Sequence, residues 1–271
     1  MRKIAVVNMK GGVGKTTTAI HLAAGFADRG ASVLLVDADP QGTVAQVLRA
    51  SPTRTLSDLM LGAKAETIVL RGARPNLDLI ASTPAAFTLD AQLAGSVQRE
   101  TVLRRALASL TGYDVVVLDT SPAMGLLTYN ALLFATSLVI PVGMEPMALT
   151  GARQTLDGVE QIRLLWPEHP LEIGAVVPTG VNLATHASRA TVEALEHDDR
   201  MRDVLFGRGI RQCIDLTYAT AAGQTIWEYA PRSRGAVDYT ALLNHLTTSI
   251  DGTDRTAYGK NENSQAVVRP A

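Results

Sequence analysis

Short, uninterrupted apolar runs alternate along this chain with longer segments whose apolar positions recur at helical spacing. The runs are Ile4–Val7, Val33–Val36, Leu77–Ile80, Val115–Leu118, Leu138–Val142 and Ile173–Val177. They are rich in β-branched residues and lack two-residue alternation, which is how strands buried on both faces read. Between them, Lys15–Arg29 reads as a helix closed by Gly30, a residue suited to the left-handed position after a helix end. Residues 98–110, 146–165, 184–197 and 232–249 read likewise. Repeated strand–helix–strand units predict an α/β fold: a doubly wound, mostly parallel sheet flanked by helices. No linker, repeat or low-complexity block divides residues 1–250, so one domain is expected there. The last residues, with Arg255, Lys260 and Arg269 against Asp254 and Glu262, carry no apolar stripe. They read as a polar, flexible tail over 251–271. Because the first strand lies close to Met1, no DNA-reading domain is expected ahead of it.

Composition narrows the classes. Of 271 residues, 46% are apolar, enough for a large core. Lys and Arg number 25 against 26 Asp and Glu, a net charge of -1, so any nucleic-acid contact must rest on a local patch. The lone cysteine, Cys213, excludes an internal disulfide and fits a reducing cytoplasm. No stretch reaches the roughly 18 apolar residues of a membrane span.

Lys10-Gly11-Gly12-Val13-Gly14-Lys15-Thr16-Thr17 lies between the first predicted strand and the first predicted helix. That is the setting of a phosphate-binding loop. Glycines let backbone amides approach phosphate oxygens, and the helix N-terminus adds positive potential. Lys15 is expected to reach the β- and γ-phosphates and the Thr16 hydroxyl to ligate Mg²⁺. One feature departs from the general motif: its usual first glycine would fall at Met9, and a second lysine, Lys10, opens the loop.

Three aspartates stand at predicted strand ends: Asp37 and Asp39 after Val33–Val36, and Asp119 after Val115–Leu118. Ligands of doubly wound sheets sit outside the carboxyl ends of strands. Asp119 therefore reads as the acid that holds magnesium, through water. Asp37 and Asp39, two residues apart, fall on one side of an extended chain. One is available for the metal shell and the other to orient an attacking water.

These segments together resemble the ParA family of deviant-Walker partition ATPases, within the larger group that includes MinD. The resemblance covers roughly residues 2–250. It is carried by Asn8–Thr18, Val36–Gly42, Val117–Pro122, Gly125–Ala131, Ile140–Gly151 around Glu145, and Tyr229–Ala236. It implies a Mg²⁺-dependent ATPase that forms a sandwich homodimer with two ATP at the interface. Lys10 matches the signature lysine, which reaches the partner's nucleotide, and Asp39 matches the aspartate that positions the hydrolytic water. It also implies non-specific binding of double-stranded DNA by the ATP dimer, nucleoid association in the cytoplasm, and a ParB-like centromere-binding protein that stimulates hydrolysis. Relatives that position a protein cargo share the same engine.

The chain departs from the family pattern twice. Many members have D-x-P-P where this chain has Asp119-Thr120-Ser121-Pro122, and Asp215 stands opposite a family arginine. The segment 200–235 still offers Arg200, Arg202, Arg208, Arg211, Arg232 and Arg234 against Asp203, Asp215 and Glu228, the candidate DNA surface. A MinD-like membrane role needs an amphipathic C-terminal helix, which the tail lacks. A bridging iron–sulfur cluster needs more cysteine than one per chain. Asn130 is a candidate for the nucleotide or dimer side of its helix, while Trp166 and Trp227 read as packing residues.

Overall fold

The computed structural model describes residues 1–145 and 147–250; the expected tail at 251–271 lies outside them. Eight strands form one sheet: β1 Arg2–Val6, β2 Val33–Ala38, β3 Leu70–Arg74, β4 Leu77–Ile80, β5 Val115–Thr120, β6 Ser137–Gly143, β7 Glu172–Val181 and β8 Ile210–Arg211. Their order is β3-β4-β2-β5-β1-β6-β7-β8. All neighbours are parallel except β3 and β4. The helices are α1 Lys15–Asp28, α2 Thr43–Val47, α3 Leu56–Met60, α4 Leu89–Gln92, α5 Val102–Ala106, α6 Leu126–Phe134, α7 Ala148–Leu165, α8 His186–Glu196, α9 Ile214–Ala222, α10 Ile226–Tyr229 and α11 Arg234–Ile250. The fold is the doubly wound α/β sheet that the sequence predicts.

Continuous apolar runs follow from two cores, one per face. In β2, Leu34, Val36 and Ala38 enter one core while Val33 and Leu35 enter the other. In β5, Val116 and Leu118 face the first, and Val115 and Val117 the second. The first core packs under α3, α5, α6 and α7; the second packs under α1, α10 and α11. Alternate residues point to opposite faces, so a strand covered on both sides needs apolar residues at every position.

This parity also aims the acids. Asp37 continues the series Val33, Leu35, and Asp119 continues Val115, Val117, so both point to the α1 face. β2 and β5 are in register there, with Asp37 opposite Asp119. The strands run further than their apolar runs, so these two aspartates belong to the strands themselves instead of following them.

One local reading is corrected, and two strands leave no signal in the sequence. Residues 98–110 form only a 3-10 turn at Arg99–Thr101 and the short α5. The helix ends with Leu107 as its C-cap, and Gly112 adopts a positive φ of 86° soon after. β3 leaves no apolar run in the sequence: half exposed, it lies at the sheet edge and runs antiparallel to β4. The two-residue β8 is too short to leave a periodic signal.

Candidate functional site

The loop between β1 and α1 is built as a cradle. Gly12 and Gly14 sit at φ 77° and 85°, a region costly for residues with a Cβ. Gly14 is the N-cap of α1 and has no side chain to cap it, so the amides of the first turn remain available to an anion. The base of the loop is tied down by Asn8, which is fully buried. Its Nδ2 donates to the Pro141 carbonyl at 2.7 Å, and its Oδ1 accepts from the Lys10 amide at 2.8 Å. The Met9 amide donates to Thr155 Oγ1 on α7 at 3.1 Å.

The two lysines diverge. Lys15 is buried and folds back, its Nζ donating to the Lys10 carbonyl at 2.9 Å. Burial lowers its pKa, with Asp119 and Asp39 pulling it back up. Such an ammonium is poised for a better anionic partner. The Lys10 side chain instead leaves the cradle and pairs with Glu145 Oε2 at 2.9 Å, beyond the end of β6.

The acids sit at graded depths. Asp119 is fully buried, and neither of its carboxylate oxygens has a hydrogen-bond partner. Burial raises its pKa well above the usual range; Asp37 and Asp39 add to the rise, while Thr16 and Lys15 oppose it. The Thr16 hydroxyl is thus close enough to act on Asp119 without closing a hydrogen bond of ordinary geometry. Asp37 is also fully buried, and its pKa is pushed up to about 7 by burial, against the amides of Asp39, Val44 and Ser82 that donate to it. The Asp39 amide lies at 3.1 Å and that of Val44 at 3.2 Å. Asp39 is nearly buried at the rim, where Oδ1 accepts from the Gln41 amide at 2.9 Å.

Two adjacent buried carboxylates without a cation oppose each other's ionisation. A divalent ion reverses that balance, so the orphaned oxygens of Asp119 fit a metal shell. Among the described residues no group of three or more His, Cys, Asp or Glu is placed to hold a metal ion. One hydroxyl, one acid through water, and phosphate oxygens suit magnesium, which keeps much of its hydration. A cleft of about 650 Å³ joins Gly11, Gly12, Gly14 and Lys15–Thr17 to Asp39–Gln41, to Phe87 and Asp90, and to Ser121–Ala123 and Gly125–Leu127. Phe87 and Asp90 escape a reading of the sequence because no motif marks them.

Other candidates fall elsewhere. Asn130 does not face the cleft. It is buried, accepts from the Leu103 amide at 2.9 Å, and donates to the Arg99 and Leu126 carbonyls. Its role is to fasten α6 to α5. Trp227 packs on the second core and donates to Thr240 Oγ1, and Trp166 packs on the first.

The six arginines do not form one uniform patch. Arg200 sits between Asp157 and Glu160, both at 2.9 Å, and Arg202 between Asp199 and Asp203. Both surroundings are net negative. Arg208 and Arg211 share a single buried carboxylate, Asp238, at 3.3 and 2.8 Å. Arg234 lies one helical turn before Asp238 on α11, and Arg232 and Arg234 are both exposed. A charge count over 200–235 misses Asp157, Glu160 and Asp238 because they come from α7 and α11, outside that segment.

Comparison with known proteins places the chain in a family. The family model described as AAA domain matches residues 1–170. The chain is 35% identical to the chromosome-partitioning ATPase Soj of Thermus thermophilus, over 92% of this chain and 97% of that protein. It is 30% identical to the cell division protein PomZ of Myxococcus xanthus, over 90% of this chain and 77% of that one. Among solved structures, cobyrinic acid a,c-diamide synthase from Mycobacterium smegmatis, with bound ATP analogue and magnesium, superposes with a TM-score of 0.81. It is 26% identical and covers 94% of this chain and 98% of that one. With its lysine-opened phosphate loop, its aspartates at the ends of β2 and β5 and these relatives, the chain belongs to the ParA/Soj family of deviant-Walker P-loop ATPases.

Proposed function

We propose that this chain is a partition ATPase: an ATP- and Mg²⁺-gated homodimer that binds duplex DNA without sequence preference. On this reading it hydrolyses ATP when stimulated by a ParB-like centromere-binding partner, and so segregates a chromosome or plasmid. The observation that carries it is the convergence of Lys15, Thr16 and Asp39 on one cleft, with the buried, unpartnered Asp119 close enough to interact with all three.

Bound Mg-ATP supplies the transferable phosphoryl group and the divalent charge. The amides of residues 11–17 hold phosphate oxygens, and Lys15 leaves the Lys10 carbonyl to neutralise them. Thr16 and Asp119 would hold the metal shell, with Asp37 beside Asp119 in the β2–β5 register. Asp39, at the rim, accepts hydrogen bonds from the water that attacks and holds it in line. Lys10, already directed away from its own cradle, reaches the partner's nucleotide. A lysine acting in trans couples hydrolysis to assembly, because neither subunit alone has a complete charge set.

Arg208, Arg211, Arg232 and Arg234 are the better-supported duplex contacts, since the surroundings of Arg200 and Arg202 are already net negative. Arginine–phosphate contacts give affinity without base reading. The name of PomZ favours a second reading of the same engine, in which the cargo is a cell-division protein and not a centromere complex. No helix among the described residues is long and apolar enough to cross a membrane, and the DNA track is the one proposed, with nucleoid association in the cytoplasm. The test is steady-state phosphate release with ATP and magnesium, with and without duplex DNA. Absence of turnover in every condition would reduce the chain to a nucleotide-binding switch.

A further inference from the structure

The loop 121–125, between β5 and α6, lines the cleft through Ser121, Pro122, Ala123 and Gly125. Met124, between them, does not line it. Its side chain turns the other way and packs on the first core. It ends in a notch on α7 left by Gly158: a Cβ built there would come within 2.0 Å of Met124 Cε and 3.6 Å of Met124 Sδ. Seven residues earlier on α7, Gly151 serves the phosphate loop in the same manner. A Cβ on it would fall 2.6 Å from both Asn8 Oδ1 and Lys10 Cβ. Positions seven apart lie on nearly one face of a helix. Thr155, between the two glycines, receives the Met9 amide. One bare face of α7 therefore seats both the base of the phosphate loop and the loop that follows Asp119.

We propose that Met124 in the Gly158 notch is the positioning contact for loop 121–125, and that through it α7 keeps this loop in register with the phosphate loop for hydrolysis. The proposal rests on the ATPase reading above and adds to it the residue pair that holds the second loop. Met124 touches no reacting atom. It acts through its neighbours, Ser121 and Gly125, which face the cleft. The remaining hydrogen bonds of the loop are local: Ser121 Oγ and Thr128 Oγ1 both donate to the Ala123 carbonyl. These shape the turn without fixing it against the rest of the protein. Met124 supplies that attachment, and methionine suits a seat that must release and re-form.

The test fills the notch from the helix side. Gly158→Ala and Gly158→Leu should leave ATP affinity within about threefold while hydrolysis falls, by about tenfold or more in the leucine variant, the scale of a small misplacement at a reacting centre. Replacing a helical glycine favours the helix, and alanine displaces only the flexible end of Met124, so in Gly158→Ala Tm should stay level or rise as activity falls, a combination a merely structural role would not give. Met124→Ala in the Gly158→Leu background should restore activity, because the leucine then fills the space the methionine vacated. Hydrogen exchange reads the same seat without turnover: the Tyr129 amide, which donates to the Gly125 carbonyl at 3.0 Å, should exchange faster in Gly158→Leu and return toward wild type in the double variant. Wild-type hydrolysis and exchange in Gly158→Leu, or no recovery in the double variant, overturns the proposal. A wild-type protein that fails to hydrolyse ATP overturns the ATPase reading instead, and the exchange measurement still decides the seat.

Discussion

At the scale of single residues, charge and burial assign the roles. Lys15 is an ammonium that burial leaves short of a strong partner. Lys15→Ala should reduce ATP hydrolysis at least about a hundredfold, the usual loss when a preorganised donor to a developing anion is removed; phosphate release measures it. His21 follows from the same kind of reasoning. The Ile226 amide donates to Nε2 at 2.9 Å, so Nε2 carries no proton, and Nδ1–H donates to the Thr17 carbonyl at 2.7 Å. The ring is stacked on Tyr239 at 4.6 Å. Burial lowers its pKa to about 4, against 6.5 unperturbed. Between those two values the unfolded chain takes up a proton that the folded chain refuses, so stability falls as pH falls through that window. The full effect is roughly 3 kcal/mol. Urea unfolding of wild type and His21→Gln from pH 4 to 7 should show a shallower acid loss in the variant, whatever its baseline. Equal slopes would assign the acid sensitivity to other groups.

At the scale of elements, what can be read in the sequence depends on how local its cause is. The phosphate loop is one contiguous segment, and its glycines, lysines and flanking strand and helix are all legible. So are the acids at the ends of β2 and β5, because strand parity is a short-range rule. Asp238 is not legible. It lies on α11 and holds Arg208 and Arg211 from the β8 segment, a pairing across 27 and more residues that no periodicity announces. Met124 and Gly158 are hidden for the same reason, as is His21, whose partner Ile226 is 205 residues away. Arg232→Ala with Arg234→Ala should lessen the steepness of log K against log salt for duplex binding, by about 0.9 for each phosphate no longer neutralised. Arg200→Ala with Arg202→Ala should leave that slope unchanged, since those guanidinium groups already sit between carboxylates. Equal losses in both pairs, measured by salt titration with ATP and magnesium, would restore the wider patch.

At the scale of the whole molecule, the sheet brings the ends of β1, β2 and β5 together, and α7 runs behind two of the loops that leave them. The Lys10–Glu145 pair stands at the edge of this assembly, 2.9 Å long, with the glutamate largely exposed. An exposed pair of this kind contributes little to folding and separates readily when a more highly charged partner arrives. On the proposed reading a second copy brings that partner, and the chain is complete as an ATPase only in its dimer. Light scattering with ATP and magnesium on wild type, Lys10→Ala and Asp39→Ala decides this. Wild type should dimerise on adding ATP and return to monomer as ATP is consumed. Lys10→Ala should bind ATP yet remain monomeric, and Asp39→Ala should dimerise and stay dimeric, because it binds but cannot hydrolyse. A Lys10→Ala protein that dimerises and hydrolyses ATP as wild type does would contradict the trans role of Lys10 and, with it, the dimer as the catalytic unit.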